Sequence, residues 1–91
     1  DGLARASVAR SDKGRRVSLW ADSLFRYLMV YTGDTIENVA RRRRAIAIEP
    51  MTCPPNALRS GIGLLKLEPG QHVEGRWGVV PDWAAIGTLT P

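Results

Sequence analysis

Short apolar stretches alternate with turn residues along most of this chain, and no stretch keeps the apolar period of a helix for long. This pattern predicts an all-β fold. The first two predicted strands, Ala4–Arg10 and Arg15–Trp20, flank the sequence Ser-Asp-Lys-Gly. Gly14 in that sequence can adopt the left-handed backbone conformation that closes a hairpin, so the two strands are expected to pair.

The strongest strand pattern in the chain is Phe25–Thr32, which is rich in aromatic and β-branched residues. Gly33 and Asp34 follow it and signal a loop. The next segment, Thr35–Arg44, is polar and highly charged. It is predicted to be a surface loop, with a short helical turn around Ile36–Ala40.

Strand character resumes at Ala45–Glu49. Pro50 is expected to end this strand because proline has no backbone N–H to donate to a neighbouring strand. Three further residues, Pro54-Pro55-Asn56, then predict an extended and irregular path with few backbone donors.

The last part of the chain is predicted to form a second hairpin. Glu68-Pro69-Gly70-Gln71 matches a type II turn, with proline at the second position and glycine at the third. Gly63–Leu67 before this turn and His72–Val80 after it are therefore expected to be paired strands. Beyond Pro81 the pattern has no clear period, and Trp83 is expected either to dock on the sheet or to stay loose.

The size of the chain limits what these strands can build. With 91 residues, 44% of them hydrophobic, the chain forms at most one small domain with a modest core. The predicted short strands would leave long unpaired edges in one open sheet, and such edges invite aggregation. The strands are therefore expected to belong to a larger β-sandwich or to pair with another subunit. Because the sequence starts on Asp1 and not on Met, it is taken to be a fragment or a processed chain.

The positive charge of the chain comes from one run, Arg41–Arg44. The net charge is +4, from 13 basic and 9 acidic residues, so the charges balance without that run. A nucleic-acid-binding domain usually spreads its basic residues over a face, and aromatic residues interleave with them. The sequence therefore favours a solvated loop and disfavours nucleic acid as a partner, although a basic module that uses these arginines stays open as an alternative.

Composition also limits the chemistry available. One histidine, His72, and one cysteine, Cys53, can form neither an internal zinc site nor an internal disulfide. Cys53 lies beside two prolines without an obvious base, which favours a packed residue over a nucleophile. The chain has no apolar run of membrane-spanning length and no signal-peptide pattern, so a cytoplasmic location without a membrane partner is expected.

The segment that carries candidate chemistry is Ala45–Glu49. Because side chains alternate along a strand, Ala45, Ala47 and Glu49 are expected on one face and the two isoleucines on the other. Two alanines beside a carboxylate leave a shallow space about one small ring wide. Glu49 at the end of a mostly apolar strand is expected to be partly desolvated, as a general base would be. A glutamate that is simply exposed, or paired with an arginine, would fit the same pattern.

Three segments together resemble the C-terminal strands of bacterial aldose 1-epimerases, the galactose mutarotase family. They are FRYLMVYTGD (Phe25–Asp34), AIAIEPMTCPPNA (Ala45–Ala57) and GLLKLEPGQHVEGRWGV (Gly63–Val79), and they match in order and spacing over most of the chain. The resemblance implies a galactose mutarotase-like β-sandwich of which residues 1–91 form the C-terminal part. The implied enzyme is an isomerase that interconverts the α and β anomers of an aldohexose.

The resemblance also implies roles for two residues. Glu49 occupies the position of the glutamate that removes the proton from the anomeric hydroxyl, and Tyr31 matches an aromatic residue that lines the sugar site. No metal or cofactor is implied. The family's general acid comes from upstream of the matched region, and His72 is read as a solvated strand residue. A carbohydrate-binding β-sandwich without catalytic activity is the alternative.

Overall fold

Antiparallel strands make up nearly all of the regular structure. A computed structural model describes residues 1–10, 14–83 and 87–88 of the chain. Within those residues the strands lie in two antiparallel sheets, with almost no helix, which confirms the all-β class. The strands are β1 (Ala4–Arg10), β2 (Arg15–Ala21), β3 (Tyr27–Tyr31), β4 (Ala47–Met51), β5 (Trp77–Trp83) and β6 (Gly87–Thr88).

The chain divides into two compact units. The first unit comprises Asp1–Leu24 and Pro69–Pro91, and its sheet has the strand order β1-β2-β5-β6. The second unit, Phe25–Glu68, contains the β3–β4 pair. In the part of the chain that the structure describes, no helix has the length and apolarity needed to cross a membrane.

The predicted N-terminal hairpin is confirmed. β1 and β2 pair antiparallel along their full length, with Ser7 opposite Ser18 at the centre. Gly14 has a φ of 61°, and its N–H donates a 3.0 Å hydrogen bond to the carbonyl of Arg10. The rest of the predicted turn, residues 11–13, lies outside the described residues. A glycine with left-handed backbone therefore closes the hairpin, as the sequence predicted.

The predicted C-terminal hairpin is wrong. Residues 61–76 contain no strand, β5 begins only at Trp77, and its partner is β2. The turn at Pro69-Gly70 is present, and Gly70 has a φ of 85°. The expected strand Gly63–Leu67 does not form, and its first residue, Gly63, has left-handed backbone at φ 68°, which is incompatible with an extended strand at that position.

Asp22 fixes the point where the β2–β5 ladder begins. Its backbone N–H donates to the carbonyl of Arg76 at 3.0 Å, and its carboxylate accepts from the N–H of Arg76 at 2.7 Å. The same carboxylate accepts from the N–H of Leu24 at 3.1 Å. Asp22 therefore joins the end of β2 to the residue that precedes β5, and it also satisfies a backbone donor in the outgoing chain.

The two faces of the first sheet differ in polarity. The registers place mainly apolar side chains on one face, where Leu19 and Ala21 at the centre are buried, and they also place Arg10 and Arg15 there at the hairpin end. Trp77 and Val79 on the same face remain 53% exposed each, so this face is only partly covered. The apolar residues that the β1–β2 and β2–β5 registers place on this face are Ala4, Ala6, Val8, Val17, Leu19, Ala21, Trp77, Val79 and Pro81.

On the opposite face the indole of Trp20 lies over Gly78. A Cβ added to Gly78 would lie 2.5 Å from Nε1 and 2.7 Å from Cε2 of Trp20. These distances are far below van der Waals contact, so the absence of a side chain at residue 78 lets the indole pack directly on the backbone of β5.

We expect Gly78→Ala to destabilise the protein by about 1 to 3 kcal/mol, because the new methyl group forces the indole away from the sheet. Urea unfolding followed by circular dichroism measures this loss. The matched control places Gly78→Ala in a Trp20→Val background, where the ring is absent and the added methyl group should cost little. Equal losses in both backgrounds would contradict the packing argument.

In the second unit the observed strands differ from the predicted bounds. β3 is shorter than Phe25–Thr32, and β4 runs from Ala47 to Met51, so Pro50 does not end it. β4 pairs with β3 alone among the described residues, which leaves its other edge open, and proline is tolerated at an edge because no ladder bond is lost there. Ala45 and Ile46 lie before β4, and Ile46 is 44% exposed and not in a core.

Two short helical segments accompany the β3–β4 pair. The predicted helical turn in the loop is present as a 3-10 helix at Val39–Arg41, capped by the side chain of Asn38. A second, unpredicted helix, α1 (Ala57–Ser60), follows the irregular path at Pro54-Pro55-Asn56. Asn56 has left-handed backbone at φ 67°, and Ala57 is buried, so the predicted irregular segment leads directly into a packed helical turn.

Candidate active site

The register of β3 against β4 places the two predicted site residues on one face. Met29 is opposite Glu49, and Tyr31 is opposite Ala47. Directly opposed residues of an antiparallel pair point to the same side, so these four side chains share a face with Tyr27 and Met51. We call this surface the Glu49 face. Tyr31 and Glu49 are diagonal neighbours on it, and the Cα atoms of such neighbours in antiparallel sheets are typically about 7 to 8 Å apart.

Glu49 lies at the centre of this face and is open to solvent. It is the middle residue of β4, not the last residue of a strand as predicted, and it is exposed. Among the described residues, none forms a hydrogen bond or ion pair with it. The expectation of partial desolvation is therefore wrong for this chain. Ala47 shares a face with Glu49 as predicted, whereas Ala45 lies before β4.

Tyr31 bounds the Glu49 face at one end. Its side chain is 39% exposed, and its hydroxyl lies 2.7 Å from the hydroxyl oxygen of Thr35. The backbone N–H of Thr35 donates a second hydrogen bond to the Tyr31 hydroxyl at 3.1 Å. Tyr31 is thus tied to the loop that follows β3, and its ring flanks the position of Glu49.

Tyr27 and Gly63 bound the face at the other end. A Cβ added to Gly63 would lie 3.1 Å from Cδ of Pro54 and 3.3 Å from the hydroxyl oxygen of Tyr27. The backbone at Gly63 therefore packs closely on both side chains. The sequence pattern predicted Gly63 as the first residue of a strand, although closely spaced glycines also signal close backbone approach.

The loop between β3 and β4 is organised by its own side chains. The carboxylate of Asp34 accepts from the hydroxyl of Thr32 at 2.7 Å and from the guanidinium of Arg43 at 3.0 Å. Arg42 donates through Nε to the carbonyl of Ile36 at 2.8 Å. Two residues of the Arg41–Arg44 run therefore hold the loop in shape, a structural use that the sequence pattern did not reveal.

Two further candidate residues came from the sequence, Cys53 and His72. Cys53 is half-buried with a free thiol, and His72 is exposed. Within residues 1–10, 14–83 and 87–88, no group of three or more histidine, cysteine or acidic residues is arranged to hold a metal ion. The chemical group that the site offers is the single carboxylate of Glu49, flanked by the phenol rings of Tyr27 and Tyr31.

Comparison with known proteins finds a relative among the curated proteins. No protein-family model matches the chain, and no solved structure matches it. An Escherichia coli K-12 protein, described as the uncharacterized protein YihR, is 40% identical over 69 residues, or 76% of this chain. The chain spans 20% of the length of that curated relative, and the name of the relative states no activity.

We expect Gly63→Ala to destabilise the protein more than Gly61→Ala. Both glycines have left-handed backbone, so each alanine costs about 1 to 2 kcal/mol in backbone strain. Only the methyl group at residue 63 also meets Pro54 and Tyr27, whereas nothing lies within 4 Å of the methyl group at residue 61. Urea unfolding of both variants measures the difference. Equal losses would show that Gly63 does not support this end of the Glu49 face.

Proposed function

We propose that this chain supplies the base-carrying part of an aldose 1-epimerase-like enzyme that interconverts the anomers of an aldohexose. The observation that carries the proposal is the exposed carboxylate of Glu49 at the centre of a face bounded by Tyr27 and Tyr31. The segment that positions Glu49 is the one whose sequence resembles the family's base-carrying motif. A carboxylate between aromatic walls is a typical arrangement for binding and deprotonating a small polar ring.

In the proposed reaction Glu49 acts as the base in one proton transfer. Its carboxylate takes the proton from the O1 hydroxyl while an acid donates a proton to the ring oxygen. The C1–O5 bond breaks, and the open-chain aldehyde forms. Rotation about C1–C2 and reversal of the same transfers close the ring with the opposite configuration at C1. No electrons are gained or lost overall, so the proposed reaction requires no redox cofactor.

The proposal assigns the general acid to residues beyond this sequence. The direct neighbours of Glu49 on its face are Met29, Ala47 and Met51, and none of these side chains can donate a proton to the ring oxygen. The relative in Escherichia coli is about five times as long as its matched region, which leaves room for such residues. We therefore propose that this chain forms one part of a galactose mutarotase-like β-sandwich in the cytoplasm, completed by further chain or by another subunit.

We expect Glu49→Gln to lower the rate of mutarotation by about 10²- to 10⁴-fold, the usual contribution of a positioned general base. The measurement is the relaxation of optical rotation of fresh α-D-glucose or α-D-galactose, catalysed by the protein expressed from its complete gene. Glu37→Gln is the matched control, because Glu37 is also exposed but lies in the loop, away from β4. Full activity of the Glu49→Gln variant would refute the proposed function.

We also expect the 91-residue chain by itself to catalyse mutarotation only weakly, because a base without its acid completes half of the proton transfer. Polarimetry of the purified chain at high concentration tests this expectation, with sugar binding followed in parallel by saturation-transfer NMR. Turnover comparable to that of the complete protein would show that the acid lies within these residues.

A carbohydrate-binding β-sandwich without catalysis is the second candidate. The observation that favours it is the exposure of Glu49 without a hydrogen-bonded partner in the described residues, which is what a binding face without an acid would show. Such a protein would bind the sugar and leave mutarotation at the spontaneous rate. The polarimetry of the complete protein therefore separates the two candidates.

A further inference from the structure

The hydroxyl of Tyr31 is occupied by a neighbouring residue. Thr35 contacts it twice, through its hydroxyl oxygen at 2.7 Å and through its backbone N–H at 3.1 Å. A phenol hydroxyl has one proton to donate and accepts hydrogen bonds on its oxygen. Both contacts come from the same residue, so they restrain the phenol from two directions and limit rotation of the ring.

The position of Thr35 is itself well determined. The preceding residue, Asp34, is held by Thr32 and Arg43, at 2.7 and 3.0 Å. Gly33 turns the chain at φ 77°, and a Cβ added there would lie 3.6 Å from the backbone nitrogen of Arg43. The base of the loop is thus closed on itself, and Thr35 offers its two contacts from a fixed position.

This arrangement determines which part of Tyr31 faces a ligand. The hydroxyl is engaged with the loop, whereas the side chain as a whole is still 39% exposed on the Glu49 face. A pyranose presents C–H groups on its ring faces, which pack on aromatic rings, and its hydroxyl groups require polar partners. Two of the three hydrogen-bonding positions of the hydroxyl are taken by Thr35, so the exposed part of Tyr31 suits a sugar ring face better than a sugar hydroxyl.

We infer that Thr35 is a positioning residue for the sugar site. It fixes the ring of Tyr31 beside Glu49, and Tyr31 contacts the sugar through its ring and not through its hydroxyl. This inference rests on the proposed function, because it assumes that a sugar binds on the Glu49 face. The contacts from Thr35 favour binding by preorganisation, because the ring of Tyr31 loses little conformational freedom when the sugar binds.

The test is a double-mutant cycle in the protein expressed from its complete gene. Tyr31→Phe removes both contacts and keeps the ring, and Thr35→Val removes the hydroxyl contact alone. We expect each change to raise the KM for α-D-galactose, by about three- to tenfold for Tyr31→Phe and less for Thr35→Val, with kcat within about twofold. The double variant should match Tyr31→Phe, since both changes break the same interaction.

Two further variants separate positioning from general stability. Thr35→Ser keeps both contacts and should retain the native KM. Thr32→Val breaks the hydrogen bond from Thr32 to Asp34 without removing either contact to Tyr31, so it should raise KM less than Thr35→Val does. A rise in KM with Thr32→Val as large as with Thr35→Val would mean that the loop acts through stability alone, and would overturn the inference.

The remaining outcomes distinguish this inference from the proposed function. The increases in KM of the two single variants could instead add up in the double variant, or Tyr31→Phe could raise KM strongly while Thr35→Val does not. Either result would mean that the Tyr31 hydroxyl binds the sugar directly. The inference would then fail while Glu49→Gln remained inactive. If Glu49→Gln kept full activity, the proposed function would fail and this inference with it.

Discussion

The register between β3 and β4 determines every property of the candidate site. Because side chains alternate along a strand, a slip of one residue would exchange the two faces and place Glu49 beside Leu28 and Val30. The connection between the strands is too long for a tight turn to set this register. The apolar pattern of the strands and the contacts at the base of the loop, from Tyr31 to Thr35 and from Asp34 to Arg43, must therefore maintain it.

The first sheet depends in a similar way on one long-range junction. Arg76 and Asp22 are separated by 54 positions, and their mutual hydrogen bonds begin the pairing of β2 with β5. The entropy of closing a loop grows only slowly with its length, by roughly 0.6 kcal/mol for each doubling. The length of the loop between Asp22 and Arg76 therefore adds little to the free-energy cost of closing it. The β3–β4 unit lies within this loop.

Local signals in the sequence predicted the local parts of the fold. The β1–β2 hairpin follows from Gly14, and the loop after β3 follows from Gly33 and its charged residues. The partner of β5 could not be predicted, because the apolar pattern of β2 does not state which distant strand it will pair with. Glu49 was found through a family resemblance, whereas the role of Thr35 required atomic distances, since a threonine four residues after a tyrosine is too common to be a signal.

Both faces of the β3–β4 pair are partly exposed, and this exposure limits how a second layer could complete the site. On the back face, Leu28 and Val30 are 46% and 55% exposed, and they lie opposite Pro50 and Ile48. An apolar face of this kind gains stability from full burial, roughly 25 cal/mol for each Å² covered. Under the proposed function the Glu49 face has different requirements, because a sugar would have to reach the carboxylate. A second layer would therefore have to bury the back face completely and enclose the Glu49 face only at its rim, where a general acid could approach the ring oxygen from the side opposite Glu49.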